Sequence, residues 1–151
     1  MNTDLLRVRL ELRGTFWDRR PQYCVRANDQ VVAQQTWAGD SGDSEYIEFT
    51  LEPQGELGSI SVELLNKQPS DTRENLDKTA ITHDMLLDIV SIHVDDINLG
   101  SLLHTASEYR PQYPQGHVGA PVLTGFVTLG WNGVWSITWR NPFFLWLLER
   151  L

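Results

Sequence analysis

The sequence predicts an all-β chain, built as an antiparallel β-sandwich. Three observations carry this reading. Apolar and polar residues alternate with period two along several short segments, the pattern of a strand with one buried and one solvated face. Turn chemistry recurs at roughly ten-residue spacing between those segments. No segment carries the long 3.6-residue periodicity of an amphipathic helix.

The elements follow in order. Leu6, Val8, Leu10 and Leu12 alternate with Arg7, Arg9, Glu11 and Arg13, and Gly14 ends that strand. Tyr23 to Ala27 and Val31 to Ala33 flank Asn28-Asp29-Gln30, a hairpin turn. Glu45 to Leu51 and Ser59 to Leu64 alternate again. Ala38 to Ser44 and Glu52 to Glu56 are turns rich in Gly, Ser, Asp and Pro. Gln68 to Thr79 is a longer polar loop. Met85 to Val94 is a long strand, and Asp95-Asp96 turns it into Ile97-Asn98-Leu99. Residues 107–121 carry three prolines and two glycines between Tyr109 and Pro121, which reads as an extended arm rather than a central strand. Gly125 to Leu129 and Val134 to Trp139 read as a hairpin turned by Trp131-Asn132-Gly133, and Pro142 opens a helical turn over Phe143 to Leu148. The chain divides into a core over 1–106, the arm over 107–121 and an aromatic C-terminal segment over 122–151, within one domain overall.

Four of the six tryptophans fall between Trp131 and Trp146. Aromatic side chains bury more area than any other type, so this end packs into the chain's own core or onto a partner. As a partner surface, it and the arm place Tyr109, Tyr113, Trp131, Trp135 and Trp146 at contacts between subunits of a homo-oligomer.

Composition narrows the function. With 151 residues, 41% of them apolar and 21% charged, the chain can bury a core without staples, and its one cysteine, Cys24, forms no intrachain disulfide. Twenty acids against twelve bases give a net charge of −8, which argues against binding nucleic acid or an anionic membrane. Met1-Asn2-Thr3-Asp4 lacks the basic start of a signal peptide, and the apolar run Phe143 to Leu148 is too short to span a bilayer.

Catalytic signatures are absent. The chain holds no Gly-x-Ser-x-Gly elbow, no His-Glu-x-x-His, no phosphate loop and no dinucleotide fingerprint, and its four histidines are scattered. The expectation is a non-enzyme with no resident cofactor unless calcium binds. Calcium takes oxygen ligands from carboxylates, amides and carbonyls. Asn66, Asp71, Asp84 and Asp96, with Asp95, lie at strand ends or in the long loop where such ligands converge; as ordinary residues they cap turns there. Sugar binding uses exposed aromatics as stacking platforms, and Trp17 and Trp37 each follow a strand at a loop tip; otherwise each covers an end of the core.

The run Leu6–Gly14, Pro21–Val25, Val31–Ala33, Ser59–Lys67 and Asp84–Ile97 resembles the calcium-dependent, xylan-binding class of carbohydrate-binding modules. That resemblance, over about residues 5 to 99, implies a jelly-roll-like sandwich whose loops bind calcium and sugar hydroxyls. Asn66 and Asp84 match the family's pattern, but its acid after the Asn is Lys67 here. The later segments Gly130-Trp131-Asn132-Gly133-Val134-Trp135 and Pro142 to Leu148 are similar to those of module-like domains in tailed-bacteriophage virion proteins, notably of cyanophages. This implies a structural virion protein, on capsid or tail, assembled in the host cytoplasm among other virion proteins. The alternative is a calcium-dependent module that binds a host glycan.

Overall fold

The structure is a computed structural model that describes residues 5–150; the reading of Met1 to Asp4, and the final Leu151, lie outside the described residues. Strand β1 (Leu6–Thr15) buries Leu6, Val8, Leu10 and Leu12 and leaves Arg7, Arg9 and Arg13 in water, as the alternation dictates. Burial stabilises each such side chain by about 1.5–3 kcal/mol. β2 (Gln22–Ala27) and β3 (Gln30–Thr36) form the expected hairpin, with Asn28 and Asp29 at φ 49° and 66° in its turn. β4 (Ser44–Leu51) pairs with β1, and β5 (Leu57–Leu64) with β2. The polar loop that follows holds a 3-10 turn, Pro69–Asp71, and a small hairpin of β6 (Arg73–Glu74) and β7 (Ile81–His83). β8 (Leu86–Val94) lies on the other side of β1 and turns through Asp95 and Asp96 into β9 (Ile97–Asn98). Then come helix α1 (Leu102–Thr105), β10 (Ser107–Pro111), β11 (Leu123–Thr124), β12 (Thr128–Leu129), β13 (Gly133–Arg140) and helix α2 (Phe143–Leu148).

Among the described residues these strands make two large antiparallel sheets. One runs β12-β8-β1-β4 with β9 beside β8; the other runs β11-β10-β13-β5-β2-β3. Inward residues of both, such as Leu10 and Ile92 from the first and Val62 and Ile137 from the second, join in one core. The protein is therefore an all-β antiparallel sandwich.

Four expectations are corrected. Gly14 does not end β1, which runs on to Thr15. Trp37 packs over it, and a Cβ at Gly14 would meet that ring at 2.7 Å. The arm is not free over its whole length, because Ser107–Pro111 is a strand between β11 and β13. Its Ser107 and Tyr109 face the core, and Pro111 stands at the strand's last position, where its missing N–H removes no interior ladder bond. Gly125 to Leu129 and Val134 to Trp139 do not pair with each other. β12 joins β8 in one sheet, β13 joins β5 and β10 in the other, and Trp131-Asn132 crosses between them.

The fourth correction concerns the C-terminal aromatics. Tyr109, Trp135 and Trp146 are 3%, 0% and 5% exposed within the single chain, so they offer a neighbouring subunit almost no surface. β13 is an interior strand of its sheet, which is why residues 122–150 do not separate from the core. Pro142 caps α2 as expected; Phe143, Trp146 and Leu147 face inward, and Phe143 meets Trp139 edge-on at 5.3 Å. Of the aromatic residues assigned to subunit contacts, Tyr113 and Trp131 keep exposed surface.

Candidate functional site

β1 ends, β2 begins, β5 ends, β8 begins, β10 ends and β13 begins at one end of the sandwich, as the registers Thr15 with Leu86, Tyr23 with Leu64, and Pro111 and Leu64 with Gly133 require. The loops 16–21, 65–85 and 112–122 and the crossover 130–132 gather there.

Lys67 is the centre of this end. Asn132 clasps its backbone from both sides: the Lys67 N–H donates to Asn132 Oδ1 at 2.7 Å, and Asn132 Nδ2 donates to the Lys67 carbonyl at 2.9 Å. The Lys67 ammonium donates to Asp84 Oδ1 at 2.7 Å and to the Gly130 carbonyl at 2.6 Å. It also lies 4.9 Å from the centre of the Trp131 ring. Its side chain is 2% exposed. Asp84 Oδ1 takes two further donors, Thr72 Oγ1 at 2.7 Å and the Met85 N–H at 2.9 Å. A buried charge needs such pairing, and removing one partner of a buried pair costs about 3–5 kcal/mol.

Beside it, Asp71 is held by Arg19. Arg19 Nε and Nη2 donate to its two oxygens at 3.1 and 2.5 Å, and the Gln68 N–H donates at 2.7 Å. Burial alone would raise the Asp71 carboxyl, but the Arg19 and Gln68 hydrogen bonds and the charge of Arg19 outweigh it and hold it below the usual aspartate range. Arg19 also donates to the Asn66 carbonyl, while the Asn66 side chain accepts from the Gln22 N–H and donates to the Arg20 carbonyl.

Two groups of aromatic rings touch this polar centre, one at Asp71 and one at Lys67. Trp17 donates its indole N–H to the Asp71 carbonyl at 2.9 Å, packs on His83 at 5.1 Å, and carries the Arg73 guanidinium 4.5 Å from its ring centre. Trp131, against the Lys67 ammonium, meets His117 at 5.6 Å, and His117 stacks on Tyr113 at 4.9 Å. Trp17, Trp131 and Tyr113 are half-buried; Arg73, His83 and His117 are exposed. Tyr109 anchors Trp131: its hydroxyl donates to the Trp131 carbonyl and accepts from the Trp131 N–H, and burial pushes it up to about 12.

The expected site residues therefore part company. Trp17 belongs to this end, with its ring against Arg73 and His83, which pair with each other in the β6–β7 hairpin. Trp37 does not: it is 1% exposed and closes the core, with its N–H on the Asp40 carbonyl. Asn66, Asp71 and Asp84 are neighbours, yet they do not share a centre, because each oxygen named above already takes a protein donor. Asp96 sits beyond the far end of β8, next to Arg7. Strand rise puts it roughly 30 Å from Asp84. Calcium needs about six to eight oxygens converging at roughly 2.3–2.6 Å. These four residues do not fit it, and among the described residues no group of three or more His, Cys, Asp or Glu side chains could hold a metal. Cys24, whose thiol burial raises, is buried within β2. Sequence reading had Trp131 and Tyr113 as subunit contacts and passed over Thr72, Arg73 and His117, because nothing local joins residues 72, 84, 117 and 131.

A separate open groove of about 500 Å3 crosses the outer face of β1 and β4 near Arg7, Arg9, Glu48 and His93. Its charges are paired, Arg9 with Glu48 and Arg7 with Asp95 and Asp96.

No family model and no curated protein matches this chain. Two solved structures do. One is "vCBM60 in complex with galactobiose", 13% identical, covering 87% of this chain and 96% of its own, with a TM-score of 0.54. The other is the selenomethionine form of vCBM60, described with a circular permutation that links two families of calcium-dependent carbohydrate binding modules. It is 14% identical and covers 87% of this chain and 89% of its own, with a TM-score of 0.51. At such identity the likeness is one of fold. It agrees with the carbohydrate-binding-module resemblance of the sequence, and neither xylan nor a phage enters through it.

Proposed function

We propose that this chain is a non-catalytic carbohydrate-binding domain, and that the loop end between Trp17 and Tyr113 is where the glycan binds. The observation that carries the reading is two aromatic clusters, Trp17 with His83 and Trp131 with His117 and Tyr113, beside a polar centre on a sandwich whose structural neighbour holds galactobiose. Sugar rings offer apolar C–H faces and polar rims. Partly exposed rings flanked by charged and hydroxyl groups match both. Trp131 is held from both sides, by Lys67 above its ring and Tyr109 at its backbone, so little side-chain entropy is lost on contact.

A virion structural protein ranks behind this reading. Its support was the resemblance of residues 130–135 and 142–148 together with an aromatic C-terminus in need of a partner, and the chain itself buries Trp135, Trp139, Phe143 and Trp146 of that segment. What it retains is the exposed strip Phe144, Leu145 and Leu148 on α2. A homo-oligomer held by that strip would dissociate on Leu145→Lys, read by light scattering.

The test of the main reading is a glycan array followed by calorimetry with galactobiose and xylo-oligosaccharides, each with calcium and with chelator. The reading expects saturable binding to at least one glycan, weakened about thirtyfold by Trp131→Ala, a loss of about 2 kcal/mol. Absence of binding under both conditions removes it.

A further inference from the structure

We propose that the Lys67 ammonium is a tethered replacement for a bound divalent cation, and that this loop end is closed without metal. The inference concerns the same end as the glycan reading and draws on it for one consequence alone: glycan binding there needs no calcium.

The geometry points this way through four features. The ammonium bridges two segments far apart in sequence, Asp84 at the end of the long loop and Gly130 in the crossover between sheets. Cross-linking separate loops through oxygen ligands is what a cation does at a loop end. Both contacts are oxygens, one charged and one a backbone carbonyl, and both are at hydrogen-bond length. Asn132 fixes the Lys67 backbone on both sides, while Asp84, the Gly130 carbonyl and the Trp131 ring hold its head group. It is also shielded from water, at 2% exposure. A second cation at Asp84 Oδ1 would meet the ammonium at close range and be repelled, and the same oxygen already accepts from Thr72 and Met85. The structural neighbours are associated with calcium-dependent modules. The donor set here answers the same need with a residue of the chain.

Thermal unfolding tests this without any sugar. The wild-type protein is melted in chelator and in millimolar calcium, beside Lys67→Met and Lys67→Asp. The proposal expects identical wild-type melting temperatures in the two buffers. Lys67→Met, which keeps the stem but leaves Asp84 without its cation, should melt roughly 6–12 °C lower. Lys67→Asp should melt low in chelator and recover on titration with calcium, in a saturable way, because an acid beside Asp84 opens the site to the ion. A wild-type protein stabilised by calcium overturns the proposal. So does a Lys67→Met variant as stable as wild type, or a folded Lys67→Asp variant indifferent to calcium. Should Lys67→Asp prove too unstable to purify, the wild-type and Lys67→Met arms decide alone. If no glycan binds but these melting results hold, the glycan reading fails and this one stands.

Discussion

The tryptophans of this protein lead two different lives. Trp135 and Trp139 on β13, with Trp146 on α2, are buried: Trp139 and Trp146 each meet Phe143, Trp135 donates its indole N–H to the Phe126 carbonyl, and Arg150 lies over the outer side of Trp146. Trp17 and Trp131 are half-buried and lie against cations, Arg73 over one and Lys67 over the other. The residue type is the same. Its surroundings differ because β13 is clamped between β5 and β10, with one face turned inward, whereas Trp17 and Trp131 sit where strands end and polar loops converge. An aromatic in the first setting contributes to stability. One in the second setting keeps surface for something else.

Replacing a ring of the first kind gives the largest effect. Trp135→Ala should cost about 3–5 kcal/mol in urea unfolding, against a much smaller loss for Trp131→Ala. Equal costs would erase the distinction. A glycine sharpens it further. A Cβ at Gly58 would lie 2.4 Å from the Trp139 ring, so Gly58→Val should lose about 1–3 kcal/mol by overpacking, read by the same unfolding. An unchanged midpoint would mean that Trp139 is less firmly seated than its burial indicates.

The polar centre makes the next contrast. Asp71→Asn removes the charge that Arg19 pairs with and should cost about 1–2 kcal/mol, reduced because Arg19 is partly open to solvent. Because the folded-state value of Asp71 lies below the unfolded one near 4, its contribution is complete above about pH 4 and fades as pH falls through the lower folded value. Wild type and Asp71→Asn should therefore converge in stability in strong acid and diverge toward neutrality; a constant gap over that range would contradict the assignment. The smallest effect is expected at Trp17. Trp17→Phe keeps a ring against Arg73 and His83 but loses the N–H to Asp71, and should shift stability by no more than about 1 kcal/mol.

Much of the sandwich was legible in the chain. The alternation Leu6, Val8, Leu10, Leu12 gave β1 its inner face, and Asn28-Asp29 and Asp95-Asp96 announced their turns through residues that tolerate positive φ. What stayed hidden was partnership. Period two shows that Val134 to Trp139 is a strand, but not that it lies on Ser59 to Leu64, some seventy residues earlier. Proline in Tyr109-Arg110-Pro111 spoke against a strand, and only its place at the strand's last position makes it acceptable. The loop end was partly visible: Trp17, Asn66, Asp71 and Asp84 were singled out, and Lys67 was noted as a departure. The sequence left Asn66, Asp71 and Asp84 open between a shared ligand set and turn caps, because it cannot show that Arg19 reaches Asp71 or that Lys67 reaches Asp84. Trp37 looked displayed beside a Gly/Ser loop, and Gly14, on another strand, is what lets it sink into the core.

The account turns on the claim that the loop-end rings face a glycan while the C-terminal rings do not. Titrating galactobiose, or the best glycan from the array, into nitrogen-labelled protein reads every indole N–H in one spectrum. The account predicts that the Trp131 signal moves saturably, with Trp17 following, while Trp135 and Trp139 stay in place. Movement confined to the buried pair, or no movement with any glycan, would contradict it.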